Sequence, residues 1–186
     1  MGLGPFTPVP TQALERGVRL ALTRLRRPSP DIKAAEFVRE RRVCASTDPT
    51  AYEHLMVDSH GRILEGTSSN FFGVRQGVLI TAGTGVLDGV TRRIVLELAE
   101  ALGLGLSLGG VVVEDLPRLD EAFLSSSTRE IVPVVQVAAV AIGNGRPGAA
   151  TAELRQAFSE FARRYARPAW PGEPAQPRQP AAPALI

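Results

Sequence analysis

The hydrophobic positions of this chain change period several times, and each change marks an element. Val18, Leu20 and Leu22 alternate with Arg19, Ala21 and Thr23, which predicts a strand with one apolar face. Arg26-Arg27-Pro28-Ser29-Pro30 ends it, because proline keeps the residue before it extended. Ala34 to Ala45 then reads as a helix, with Phe37 and Val38 inward and Arg39, Arg41 and Arg42 outward, broken by Asp48-Pro49. Strands are expected at His54 to Asp58 and Ile63 to Glu65, around the turn Ser59-His60-Gly61-Arg62. A second hairpin, Asn70 to Arg75 and Val78 to Thr81, turns at Gln76-Gly77, and Thr81 to Gly89 is a loop.

Thr91 to Leu102 is the clearest helix: Ile94, Val95, Leu98, Ala99 and Leu102 share a face, and Gly103 stops it. Gly110 to Asp115 reads as a strand, Leu116 to Asp120 as a helical turn, and Ala122 to Ser125 and Val134 to Ile142 as strands, the last ending at Asn144-Gly145. Ala152 to Tyr165 is an amphipathic helix with Leu154, Phe158, Phe161 and Ala162 on one side. The Gly- and Pro-rich residues 1–15 predict a loose lead-in, and the six prolines after Ala166 predict a disordered tail. Hairpins mixed with a few helices indicate an α+β fold rather than a doubly wound parallel sheet. The divisions expected are 1–27 as lead-in and first strand, 28–165 as the folded domain, and 166–186 as the tail.

Composition narrows the chemistry. A chain of 186 residues, 44% hydrophobic and 22% charged, predicts one globular domain. Its net charge of +2 is spread among acids, which gives no nucleic-acid stripe. Cys44 is the only cysteine, and His54, His60 and Cys44 lack metal-site spacing, so neither a disulfide nor a metal is expected. No secretory leader and no membrane-length apolar run is visible, so a cytoplasmic protein is expected. The glycines at 83, 85 and 89 do not fit a dinucleotide fingerprint, and no Walker lysine follows a glycine loop.

Lys33 is the one lysine beside 20 arginines. Arginine cannot replace lysine where an amine must lose its proton and attack a carbonyl, so Lys33 is the candidate nucleophile. Three ordered blocks follow it: Glu65-Gly66-Thr67-Ser68-Ser69-Asn70-Phe71-Phe72, Leu87-Asp88-Gly89-Val90-Thr91-Arg92-Arg93, and Ser125 to Val134, which reads S-S-S-T-R-E-I-V-P-V. Together these resemble the class IV aminotransferases, the fold-type IV enzymes dependent on pyridoxal 5′-phosphate. That family includes branched-chain and D-amino acid aminotransferases and aminodeoxychorismate lyases. The resemblance runs from about Pro28 to about Arg164. It implies the large C-terminal domain of that fold, a β-rich pseudo-barrel with flanking helices, and makes 28–165 the cofactor-binding domain.

The resemblance also implies roles. Lys33 is the catalytic and cofactor-holding amine. Glu65 is the carboxylate that keeps the pyridine nitrogen protonated. Gly89, Val90 and Thr91 offer a helix N-terminus and a hydroxyl to the phosphate, unless Asp88 or Thr91 merely caps that helix. Ser127 and Thr128 match a second phosphate contact, and Leu87 matches a leucine packed on the ring. The implied activity is transfer of an amino group between an amino acid and a 2-oxo acid, by a homodimer. Two other readings stay open: an aminodeoxychorismate lyase releasing pyruvate, and a cofactor-binding homologue without turnover.

Two departures bear on these readings. Relatives carry a small N-terminal domain ahead of the lysine; only 32 residues precede Lys33, so that domain is expected to be absent. Arg16, Arg19, Arg24, Arg26 and Arg27 are the arginines available to replace the one that domain gives the phosphate. Relatives also carry an asparagine, and some a tyrosine, soon after the lysine, where this chain has Glu36 and Phe37.

Overall fold

A computed structural model describes residues 8–27 and 37–166. Lys33 and the segment 28–36 around it, residues 1–7, and the tail from residue 167 onward lie outside the described residues. The first element of the described residues is a short helix, α1 (Thr11–Arg16), within the stretch expected as a loose lead-in. Its end is tied down from far away, because the Arg155 guanidinium donates to the Leu14 carbonyl at 3.2 Å. Local composition carries no trace of that contact.

β1 (Val18–Thr23) follows, then α2 (Phe37–Thr47), β2 (Glu53–Val57) and β3 (Arg62–Gly66). β4 (Asn70–Arg75) and β5 (Val78–Ile80) form the second hairpin, and α3 (Val90–Ala101) leads to β6 (Gly105–Ser107) and β7 (Val111–Val112). A 3-10 helix at Val113–Arg118 precedes β8 (Glu121–Ser126), β9 (Glu130–Val137), β10 (Val140–Ala141) and α4 (Ala149–Tyr165). Among the described residues no helix is long and apolar enough to cross a membrane.

The strands form one sheet that bends back on itself. β4, β8, β9, β1, β2 and β3 are neighbours in that order, and β3 also pairs with β4. The ring closes through a single antiparallel register, Glu65 opposite Asn70. β1 runs parallel to both β2 and β9, and the other ring pairs are antiparallel. The architecture is the α+β pseudo-barrel that the sequence predicts.

Alternation along β4, β8 and β9 builds two cores at once. Phe71, Leu124, Val132 and Val134 join Leu20, Leu55 and Ile63 from the rest of the ring in one apolar cluster. Their neighbours Phe72, Phe123 and Ile131 face the other way and meet Val95 and Ala99 of α3 with Leu154 and Phe158 of α4. Phe72 and Phe123 stack with centroids 4.8 Å apart and are both fully buried.

Further sequence expectations need correction. The strand expected over Gly110 to Asp115 stops at Val112, because a 3-10 helix containing Pro117 begins at Val113. The strand expected over Val134 to Ile142 is a hairpin whose turn holds Ala138 at φ 50°. The Ala138 amide donates to the Leu20 carbonyl at 2.8 Å, so β1 imposes this turn without any Gly or Asn to announce it. Val38, expected inward, is 36% exposed. β6 was not anticipated at all: its three residues are recruited by parallel pairing to β5.

The α2–β2 connection is fastened by Asp48, which accepts from the Arg19 guanidinium at 2.9 Å and the Thr50 hydroxyl at 2.7 Å. The Thr50 hydroxyl first, and then Arg19, lower the Asp48 carboxyl from 3.8 to about 2.

Two outcomes are expected. Phe123→Ala should destabilise the fold by about 3–5 kcal/mol, read from urea denaturation, because it opens the stacked core. The folded chain binds the Asp48 proton less readily than the unfolded chain, so the Asp48 contribution is present above pH 3.8 and is lost as pH falls toward about 2. Asp48→Asn should therefore show a shallower fall in urea midpoint across that window than the wild type.

Candidate active site

A cleft of about 250 Å3 opens where the ring closes. Glu65, Thr67, Ser68, Ser69 and Asn70 from the β3–β4 seam form one wall, with Ser125, Ser126 and Ser127 from the end of β8. Leu87 and Gly89 at the approach to α3 also line it, as do Arg27, Phe37, Val38 and Arg41.

Glu65 sits at the bottom, 1% exposed. One carboxylate oxygen, Oε1, accepts from Arg27 Nε at 3.0 Å. The other, Oε2, accepts from Asn70 Nδ2 at 3.2 Å and from the Leu87 amide at 3.0 Å. A carboxylate has about four lone-pair sites, so three donors leave room for about one more. Burial pushes the Glu65 carboxyl above the usual carboxylate range; the Leu87 amide and the Arg27 guanidinium oppose the rise, and the Glu53 charge adds to it.

Asn70 is the hub beside it. Its amide also donates to the Leu87 carbonyl at 2.9 Å, so it grips both the carboxylate and the loop that leads into α3. Gly89 follows that loop, and a Cβ there would stand 2.8 Å from Asn70 Oδ1. The residue is glycine because the asparagine fills the space a side chain would need.

The N-terminus of α3 starts at this point. Gly89 takes extended angles, and among the described residues no side chain caps the helix. Asp88, one capping candidate, turns instead to Arg92 at 3.4 Å and Arg93 at 3.8 Å. Thr91 Oγ1 lies 3.4 Å from Ser127 Oγ, which brings the helix start against the β8–β9 turn. Among the described residues, the Ser69 and Ser125 hydroxyls are buried without a partner, and both residues line the cleft. An uncapped helix end beside the Thr91 and Ser127 hydroxyls is a donor set suited to an anionic group.

The structure thus brings Glu65, Leu87, Gly89, Thr91 and Ser127 together. Val90 turns its side chain to solvent, 61% exposed. Thr128 is exposed and stands outside the cleft wall. Lys33 is outside the described residues. Of the arginines offered for the phosphate, Arg27 pairs with Glu65 and Arg19 with Asp48.

A second cluster, not anticipated from the sequence, braces the wall. Glu53, 6% exposed, accepts from the Ser68 amide at 2.5 Å and from Arg129 Nη1 at 2.7 Å. Arg129 Nη2 also donates to Ser68 Oγ at 2.9 Å, and its guanidinium lies 5.5 Å from the Tyr52 ring centroid. Glu53 and Arg129 are 76 residues apart, so nothing local could pair them. The remaining signal was the fixed spacing within the Glu65–Asn70 block, which marked Asn70 without giving it a task.

Comparison with known proteins follows the same lines. Residues 5–137 match the model of the amino-transferase class IV family. The chain belongs to the class IV aminotransferases. This class IV chain is 36% identical over 112 residues to a D-alanine aminotransferase of Bacillus licheniformis, covering 59% of the chain and 39% of that protein. It is 37% identical over 108 residues to the branched-chain-amino-acid aminotransferase of Escherichia coli K12, covering 57% of the chain and 35% of that protein. The crystal structure of the Escherichia coli branched-chain enzyme superposes with TM-score 0.71 at 30% identity, covering 80% of this chain and 53% of that one. A branched-chain aminotransferase of Thermoproteus uzoniensis, solved with norvaline, superposes with TM-score 0.73 at 27% identity, covering 84% of this chain and 54% of that one. The class IV chain therefore spans about half the length of these solved structures and less of the curated relatives.

Removing Arg129 should test the brace. Arg129→Met should cost about 3 kcal/mol, because Glu53 keeps a buried charge without its partner. Hydrogen exchange at the Ser68 amide should speed up more than at amides of β9.

Proposed function

We propose that this cleft binds pyridoxal 5′-phosphate and that the protein transfers an amino group between an amino acid and a 2-oxo acid. The observation that carries the reading is the pairing of two unlike subsites in one cleft. Glu65 is a buried carboxylate with about one acceptor position left, and the uncapped start of α3 lies beside it with the Ser127 hydroxyl. A pyridine nitrogen suits the first and a phosphate suits the second.

When bound, the cofactor supplies an electron sink for charge developing at the substrate α-carbon. The chain's own residues supply the rest. Glu65 holds the ring-nitrogen proton, and Asn70 fixes its carboxylate. Gly89 and Thr91 with Ser127 bind the phosphate, and Leu87 covers the ring. Lys33 provides the amine and carries a proton to and from the substrate α-carbon. The same family reading extends to a cytoplasmic homodimer. Val38 at the cleft rim and Val43, 69% exposed, leave apolar surface on α2 for a second copy.

The test is the visible spectrum of the protein titrated with pyridoxal phosphate. A band that requires Lys33, and is lost in Lys33→Ala, is the expected result, followed by bleaching with one member of an L- and D-amino acid panel. Gly89→Ala should weaken binding about tenfold or more, ~1.4 kcal/mol, by pushing on Asn70. Absence of any Lys33-dependent band would overturn the reading. Pyruvate released from aminodeoxychorismate without an amino acceptor would replace transamination by lyase chemistry.

A further inference from the structure

We propose that Arg27 is a positioning residue that acts through Glu65, holding its carboxylate charged and oriented so that the remaining acceptor position stays open to a ring-nitrogen proton. The proposal rests on the cofactor reading above and deepens it.

The geometry begins with burial. Glu65 is 1% exposed, and a carboxylate in such a place takes up a proton unless a cation offsets the lost hydration. Its other two donors, the Asn70 amide and the Leu87 N–H, are neutral. Among the described residues, Arg27 is the cation in contact, 3.0 Å away with its own side chain 8% exposed. Arg24 and Arg26, its neighbours, are exposed.

The other charged groups around Glu65, among the described residues, are engaged elsewhere or act against it. Glu53 on β2 pushes Glu65 toward the neutral form, and its own charge is met by Arg129 from the β8–β9 turn. On α3, the Arg92 guanidinium donates to the Ala82 carbonyl at 2.9 Å and to Asp88, and Arg93 also turns to Asp88. Arg41 on α2 lines the cleft without a hydrogen bond to Glu65. Among the described residues, Arg27 is therefore the cation that favours the charged form of Glu65, beside the neutral Leu87 amide.

Phe37 explains why the guanidinium stays in place. Its ring centre lies 4.3 Å from Arg27 Cζ, so the cation is held between an aromatic face and the carboxylate. A flat, permanently charged guanidinium fits that slot, and an ammonium does so less well. Phe37, which offers no hydroxyl, has a use here as the seat for Arg27.

The experiment follows the Glu65 carboxyl carbon by NMR in the full chain made with 13C-labelled glutamate, its signal assigned by loss in Glu65→Gln. Arg27→Met should move the Glu65 titration upward by about one pH unit or more, tenfold in proton affinity. Arg27→Lys should restore most of the shift. Arg27→Gln, which keeps a donor and loses the charge, should behave like Arg27→Met and decides the matter if the methionine variant does not fold. The second readout is pyridoxal phosphate affinity against pH. Arg27→Gln should bind about tenfold more weakly than wild type at neutral pH and converge with it as pH rises above the new Glu65 titration. A merely structural loss would persist at every pH. A Glu65 titration identical in wild type and Arg27→Gln overturns the proposal. A titration that shifts between wild type and Arg27→Gln, in a protein whose wild type never binds the cofactor, overturns the cofactor reading instead.

Discussion

Burying a carboxylate at the seam of the barrel is the constraint to which the rest of the structure answers. Glu65 cannot sit dry unless its oxygens are met, and each partner comes from a different part of the chain. Arg27 arrives from the end of β1, Asn70 from the start of β4, and the Leu87 amide from the loop before α3. Satisfying one side chain therefore fixes the relative positions of a strand end, the ring closure and a helix start. The three parts of the cleft are held in register by the group they surround.

The platform beneath that group is stiff for a separate reason. β4, β8 and β9 are buried on both faces, with Phe71 on one side and Phe72 on the other, Leu124 on one side and Phe123 on the other. A strand packed on both sides cannot slide by one residue without exchanging its two apolar sets. Asn70 and Ser125, partners in the β4–β8 register, sit at the cleft end of this double-faced slab. The slab therefore sets the position of the cleft wall, and the Glu53–Arg129 brace holds the loop between Glu65 and Asn70 against it.

Much of this was legible in the sequence, and the failures have a common cause. β1 and α3 announced themselves through period, and the Gly61 and Gly77 hairpins through turn residues with φ of 76° and 74°. Glu65, Leu87, Gly89 and Ser127 were marked by ordered motifs, and the structure gathers them. The turn at Ala138, the helix at Thr11–Arg16 and the strand β6 carry no local signal, because distant strands and α4 impose them. Arg27 was visible only as one arginine of several, and Arg129 only as a charge in a serine-rich turn. Their partners lie 38 and 76 residues away, beyond any window of periodicity.

The ring joins pairings of very different reach, and that has a kinetic meaning. β3 and β4 meet across a short loop, Glu65 to Asn70, which is cheap to close. β1 and β9 pair Val18 with Val134 from opposite ends of the sequence, and contacts of such separation slow folding. The cleft inherits the same division. Its Glu65–Asn70 wall is local in the chain, whereas Arg27 and Arg129 reach it only across 38 and 76 residues, so the wall can exist in a chain that has not yet gathered the charges around it.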